Sequence, residues 1–145
     1  MQSDYNIYFV AGYRNDVAQG TCAFIITDNL DVEIQSGTME VSNSNHIRSH
    51  IECAIEALGR IPTGASVHFI TDLTYMVNII NHQWFIRANQ DLWERFENIA
   101  RNGKHRCTAE WRGVKVKDHI LRRCWRMCSD AAGFDFIEYF ETHKY

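Results

Sequence analysis

Proline is almost missing from this 145-residue chain, with a single one at position 62, and no low-complexity stretch or linker interrupts it. One compact domain over residues 1–145 is the expectation, large enough to bury about two-thirds of its unfolded surface. Long hydrophobic runs are lacking too: segments such as Tyr8-Phe9-Val10-Ala11 and Ala23-Phe24-Ile25-Ile26 end within a few residues. That leaves no transmembrane helix and no secretory signal core, so a membrane partner is not expected. Cysteine is present without a bonding pattern. The five thiols at 22, 53, 107, 124 and 128 make an odd count with no paired metal-ligand spacing. Packed, reduced thiols in a cytoplasmic, reducing setting follow, and a disulfide framework is excluded as the main source of stability.

Basic residues are scarce over most of the length and concentrated where they occur. Residues 1–100 hold five Lys and Arg against twelve Asp and Glu. Residues 101–126 hold nine against two: Arg101, Lys104, Arg106, Arg112, Lys115, Lys117, Arg122, Arg123 and Arg126 against Glu110 and Asp118. Such a segment inside an acidic protein can track phosphates while the remainder avoids non-specific adhesion; a solvated surface is the plain alternative.

The hydrophobic period divides the chain. Ile7–Val10, Gly20–Ile26 and a run from Val32 to about Val41 are rich in strand formers. The turns between them are polar, at Asn15-Asp16 and Asp28-Asn29, as in an antiparallel meander. From Ser49 the apolar positions Ile51, Ala54, Ile55 and Leu58 follow a helical period, and Pro62 stops it. Val67–Ile70 reads as a short buried strand. Helices follow around Tyr75–Ile80 and from about Gln90 to Asn102, then a strand over Thr108–Val114. One long last helix is expected from Leu121 onward, reaching toward Phe140. The order βββαβααβα predicts a mixed α/β fold, helices packed on a five-stranded sheet.

Several segments, in order, resemble the type 1 ribonuclease H family. Val10-Ala11-Gly12-Tyr13 stands where that family has Thr-Asp-Gly-Ser, and Gly20–Ile25 resembles its second strand. Ile51-Glu52-Cys53-Ala54-Ile55-Glu56-Ala57-Leu58 is similar to its first helix. Ile70-Thr71-Asp72-Leu73-Thr74-Tyr75-Met76 is similar to its Thr-Asp-Ser-x-Tyr-Val segment. Asn89-Gln90-Asp91-Leu92-Trp93 and Glu110-Trp111 match the opening of its third helix and its fifth strand. The likeness runs over about residues 5–133. It implies an RNase H-like five-stranded mixed sheet whose first three strands are antiparallel.

The resemblance also implies a chemistry, hydrolysis of the RNA strand of RNA–DNA hybrids. Four carboxylates there hold two Mg²⁺ (or Mn²⁺) ions about 4 Å apart, one activating water and one stabilising the leaving oxygen. Glu52 and Asp72 stand at the second and third carboxylates and are the candidate metal ligands. Asp72 also reads as a helix N-cap and Glu52 as a surface residue. Ala11 stands at the first carboxylate, and a methyl group coordinates nothing. That loss is either natural or an introduced substitution. For the fourth, an ungapped register places Trp125 at the carboxylate and Lys115 at the loop histidine. A register with an insertion before Lys117 places His119 and Asp130 there instead, with Lys117-Asp118-His119 resembling Lys-Gly-His. The ungapped register is favoured, and with it a degraded site in a non-catalytic protein. A knocked-out hybrid nuclease, completed by Asp130 or His119, is the alternative. The substrate-contacting asparagine pair has no counterpart, and the basic protrusion is reduced to residues 82–88.

On the non-catalytic reading the partner is a nucleic acid, hybrid or duplex, or another protein. Arg112, Lys115, Lys117, Arg122, Arg123 and Arg126 are the candidate phosphate contacts. Trp84, Phe85 and Trp125 stack on bases, close the vacated cleft or anchor a protein partner. His46 and His50 are spaced for one helix face but lack a third ligand, so a polar face is expected; His68 reads as a satisfied strand residue. Cys53, Cys124 and Cys128 read as packing thiols.

Overall fold

The computed structural model describes residues 3–42, 44–83, 85–113 and 118–142, with side chains through 139. Three ten-residue strands come first, β1 (Tyr5–Arg14), β2 (Gln19–Asp28) and β3 (Glu33–Ser42). Then follow α1 (His46–Leu58), β4 (Val67–Thr71), α2 (Thr74–Ile80), α3 (Gln90–Asn102) and β5 (Cys107–Trp111). The chain closes with α4 (His119–Ala132) and α5 (Phe136–Thr142). They form one five-stranded sheet in the order β3-β2-β1-β4-β5. β1, β2 and β3 pair antiparallel; β4 lies parallel to both β1 and β5. The mixed sheet and antiparallel meander are as the sequence predicts.

The last helix departs from expectation. Instead of one long element, α4 stops at Gly133, whose left-handed φ of 64° reverses the chain and sends α5 off separately. Ala131 and Ala132 complete α4, and the apolar positions beyond Gly133 fall in a separate helix.

Each face of β1 packs against a helical layer, which is why its sequence reads as unbroken apolar residues rather than as an alternation. Ile7, Phe9 and Ala11 join Cys22, Phe24, Val67 and Phe69 under α1 and α3, where Ile51, Cys53, Leu92, Trp93 and Phe96 meet them. Tyr8, Val10, Ala23, Ile25 and Ile70 pack on the other face against Leu121, Cys124, Trp125, Cys128, Phe136 and Ile137. Cys53, Cys124 and Cys128 are buried and free, consistent with packing roles. Side chains set the helix starts: Asn45 accepts from the Arg48 amide at 2.8 Å, and Asp118 from the Leu121 amide at 2.8 Å.

The two outer edges of the sheet differ. At β5, the Asn81 side chain donates to the Ala109 carbonyl and accepts from the Ala109 amide, both at 2.8 Å. This clamp saturates main-chain groups that an edge strand otherwise presents to other chains. At β3, no hydrogen bond reaches the main chain from beyond β2 among the described residues.

Candidate functional site

Asp72 follows β4 directly and turns its carboxylate to the α4 side of the sheet. There the indole Nε1 of Trp125 donates to Asp72 Oδ2 at 2.8 Å. A second indole, Trp111 Nε1, donates to the Asp72 main-chain carbonyl at 3.1 Å. Burial pushes the Asp72 pKa up to about 6, against the lowering effect of the Trp125 bond. Trp125 is itself only 2% exposed and packs on Phe136 with ring centroids 5.7 Å apart. The Phe136 ring in turn lies against Gly12, where any Cβ would overlap it. Trp125 of α4 thus lies on the Asp72 carboxylate, and Phe136 of α5 packs against Trp125 and Gly12.

Ala11 is fully buried on the opposite, α1-facing side of β1, paired with Cys22 across the ladder. Glu52 is drawn elsewhere: its carboxylate meets Arg95 of α3 at 3.2 Å, and no hydrogen bond or ion pair joins it to Asp72. Arg48, one turn earlier, is held by Asp91 at 2.7 Å. Asp130 is exposed on α4, and His119 is exposed in the first turn of that helix. No hydrogen bond or ion pair among the described residues joins Glu52, Asp72, Asp130 and His119 to one another. Among the described residues no group of three His, Cys, Asp or Glu side chains is placed to hold a metal ion.

The expected polar face of α1 holds only in part. His46 is exposed, but His50 is completely buried against Phe9, its ring edge-on to that of His46 at 4.6 Å. His50 Nδ1 donates to the His46 carbonyl at 2.8 Å, and burial pushes its pKa down to about 3. Its Nε2 and the Thr71 hydroxyl have no hydrogen-bond partner among the described residues. His68 is satisfied as predicted, by Thr108 at 2.7 Å and Glu110 at 2.8 Å.

The basic segment is less free than its composition suggests. Arg112 is clamped by Glu110 at 3.0 Å and Asp118 at 2.6 Å, and lies over the Tyr8 ring. It organises the approach to α4 instead of presenting a free guanidinium. Arg123 pairs with Glu33 of β3. Arg126 is exposed and Arg122 half-buried on the same helix. Lys115, Lys117 and Trp84 lie outside the described residues, and Phe85 is 87% exposed.

Phe136 and Trp111 are not legible as site residues in the sequence. Trp111 acts through the main chain of Asp72, and Phe136 depends on the reversal at Gly133. Neither has a spacing that a motif would capture.

The raised pKa of Asp72 has a measurable sign. A carboxyl group that ionises at about 6 when folded, against 3.8 as the ordinary value, stays protonated in the native state over that window. Its contribution is therefore full below about pH 4 and is lost as pH rises through 6, on the order of 2–3 kcal/mol. Urea denaturation of the wild type and Asp72→Asn from pH 4 to 7 checks this. The wild type is expected to lose stability relative to the variant as pH rises, and a pH-independent difference contradicts it.

The sheet order, its three antiparallel strands and the helices on both faces define a ribonuclease H fold. Three solved structures share it: LC11-RNase H1, described in complex with an RNA/DNA hybrid, an N-terminal RNase H domain from Mycobacterium tuberculosis, and RNase H1 of Halobacterium salinarum. They align with TM-scores of 0.73, 0.69 and 0.70 at 12%, 10% and 10% identity, covering 88%, 90% and 89% of this chain and 98%, 99% and 97% of theirs. In sequence, the chain is similar to a curated protein of Syntrophus aciditrophicus named Ribonuclease H, 29% identical over 112 residues. That match covers 68% of this chain and 62% of the relative, so the chain spans less than two-thirds of the relative's length. No family model matches the chain.

Proposed function

We propose that this chain is a non-catalytic ribonuclease H-fold module that binds nucleic acid through α4. The observation that carries the reading is the Trp125 indole donating to Asp72. An N–H group aimed at a carboxylate oxygen competes with a divalent cation for that oxygen, and the buried ring takes up room beside it. The other candidate ligands give no compensation. Ala11 has no donor atom, Glu52 is engaged by Arg95, and Asp130 is exposed on another part of α4. The residues present do not fit the paired Mg²⁺ or Mn²⁺ ions of the hybrid nucleases.

What remains for binding is charge. His119, Arg122, Arg123 and Arg126 stand on α4, next to a cleft closed by aromatic rings. The relative named Ribonuclease H and the neighbour described on an RNA/DNA hybrid make a hybrid the first ligand to test. Gel retardation of an RNA–DNA hybrid by the wild type and by the Arg122→Glu, Arg123→Glu, Arg126→Glu triple variant tests the reading. The variant is expected to bind at least about tenfold more weakly, with a log–log salt slope shallower by about 2–3 phosphate contacts. Equal retardation by both proteins overturns it. So does Mg²⁺-dependent cleavage of the hybrid by the wild type.

A further inference from the structure

The β3 edge lacks the devices that keep sheet edges from recruiting other chains. Natural proteins blunt such edges by making them short or placing Lys or Pro on them, and by bulges or covering groups. β5 follows that practice, with five residues, Arg106 and Arg112 at its ends, and the Asn81 clamp on Ala109. β3 has ten residues and contains no Lys, Arg or Pro. Its register irregularity, between Ile26 and Thr27 of the partner strand, lies near one end and leaves the ladder from Gln35 to Ser42 regular.

Two features say what fits this edge. At the hairpin tip, Leu30, Val32 and Ile34 are 76%, 58% and 55% exposed, three apolar side chains at alternate positions leading into the open strand. Between Arg14 and Arg48 the sequence has no Lys or Arg and five acidic residues: Asp16, Asp28, Asp31, Glu33 and Glu40. Arg123 offsets Glu33 from the α4 side, Arg14 pairs with Asp16, and Arg60 donates to the Gln35 side chain, whereas Glu40 is exposed with no ion pair among the described residues. A second copy of this chain paired edge to edge would set two acidic edges side by side, with Glu33 and Glu40 of each on the strands that meet, which is unfavourable. Nucleic acid is repelled for the same reason.

We propose that the open β3 edge docks an extended segment of another protein, bearing alternating basic and apolar residues, as a sixth strand. Main-chain hydrogen bonds supply the attachment. Leu30, Val32 and Ile34 meet the apolar side chains, and the acidic stretch selects for Lys and Arg. This edge touches the nucleic-acid surface only at the Arg123–Glu33 ion pair, and the proposal does not rest on that reading.

The test uses a fluorescein-labelled nonapeptide of alternating Lys and Val, with an alternating Glu and Val peptide as control. The cationic peptide is expected to bind saturably, to weaken as salt rises, and to slow amide exchange across residues 33–42. Ile34→Lys combined with Glu40→Lys, both at exposed positions, is expected to weaken it by about tenfold or more. Circular dichroism checks that this variant is folded. Equal binding to wild type and variant overturns the proposal, as does exchange protection confined to other elements or no binding at millimolar peptide. Sedimentation showing a wild-type dimer that the variant abolishes would assign the edge to a second copy instead.

Discussion

Trp125→Ala is expected to cost about 3–5 kcal/mol of folding stability, the usual penalty for emptying a buried indole site. Trp125 is 2% exposed and packed against Phe136, so the surroundings have little freedom to close on the gap. The loss has two separable parts. Trp125→Phe keeps most of the volume but removes the N–H that Asp72 accepts. It is expected to cost about 1.5–3 kcal/mol at pH 7 and above, where Asp72 is ionised, and progressively less toward pH 4. The same variant should move the Asp72 pKa above its wild-type position near 6, because the bond that lowers it is gone and the burial that raises it remains. Urea melts at several pH values and a carbonyl-carbon NMR titration of Asp72 read both effects. A Phe variant with unchanged stability and unchanged titration shows that the indole bond to Asp72 is absent in solution.

Ala11→Asp separates the pseudoenzyme from a disabled nuclease. If Ala11 is an introduced substitution in a working site, restoring the carboxylate restores Mg²⁺- or Mn²⁺-dependent hydrolysis of an RNA–DNA hybrid. The geometry favours the opposite result. Position 11 is fully buried on the α1 side of the sheet, and Asp72 turns to the α4 side, where it is bound to Trp125. A new carboxylate at 11 meets core side chains and the His46 ring, which reaches the Ala11 main chain. Its folded pKa rises for lack of a compensating cation, so the variant loses more stability at pH 8 than at pH 5, by about 2–4 kcal/mol at the higher pH. No cleavage is expected with either metal. Metal-dependent cleavage by the folded variant sinks the non-catalytic reading outright.

The strands and most helices were legible because their signals are local. The meander shows in β-rich runs parted by Asp and Asn turns, and α1 shows in the spacing of Ile51, Ala54, Ile55 and Leu58. The last helix was not, because Ile137 and Phe140 continue the apolar period past the point where Gly133 turns left-handed. At the candidate site single residues were legible and their contacts were not. Ala11 can be read as lacking a ligand from one letter. That Glu52 pairs with Arg95 requires knowing that α1 and α3 pack side by side, 43 residues apart in sequence. His50 is the sharpest case. An imidazole one turn from another looks like a solvent-facing pair, yet the closeness of α1 to β1 seals it against Phe9. α1 lies as close to β2, at Gly20, where a Cβ would overlap Ser49. Charge counting misled in a related way, since Arg112 balances Glu110 and Asp118 and is not offered outward.

The Asn81 clamp sets a limit on assembly. A sheet that accepts strands at both ends can propagate without end into fibres. With the Ala109 main chain capped on one flank, strand addition is favoured on the other. Loosening the clamp with Asn81→Ala is expected to free those main-chain groups for a partner on the second flank.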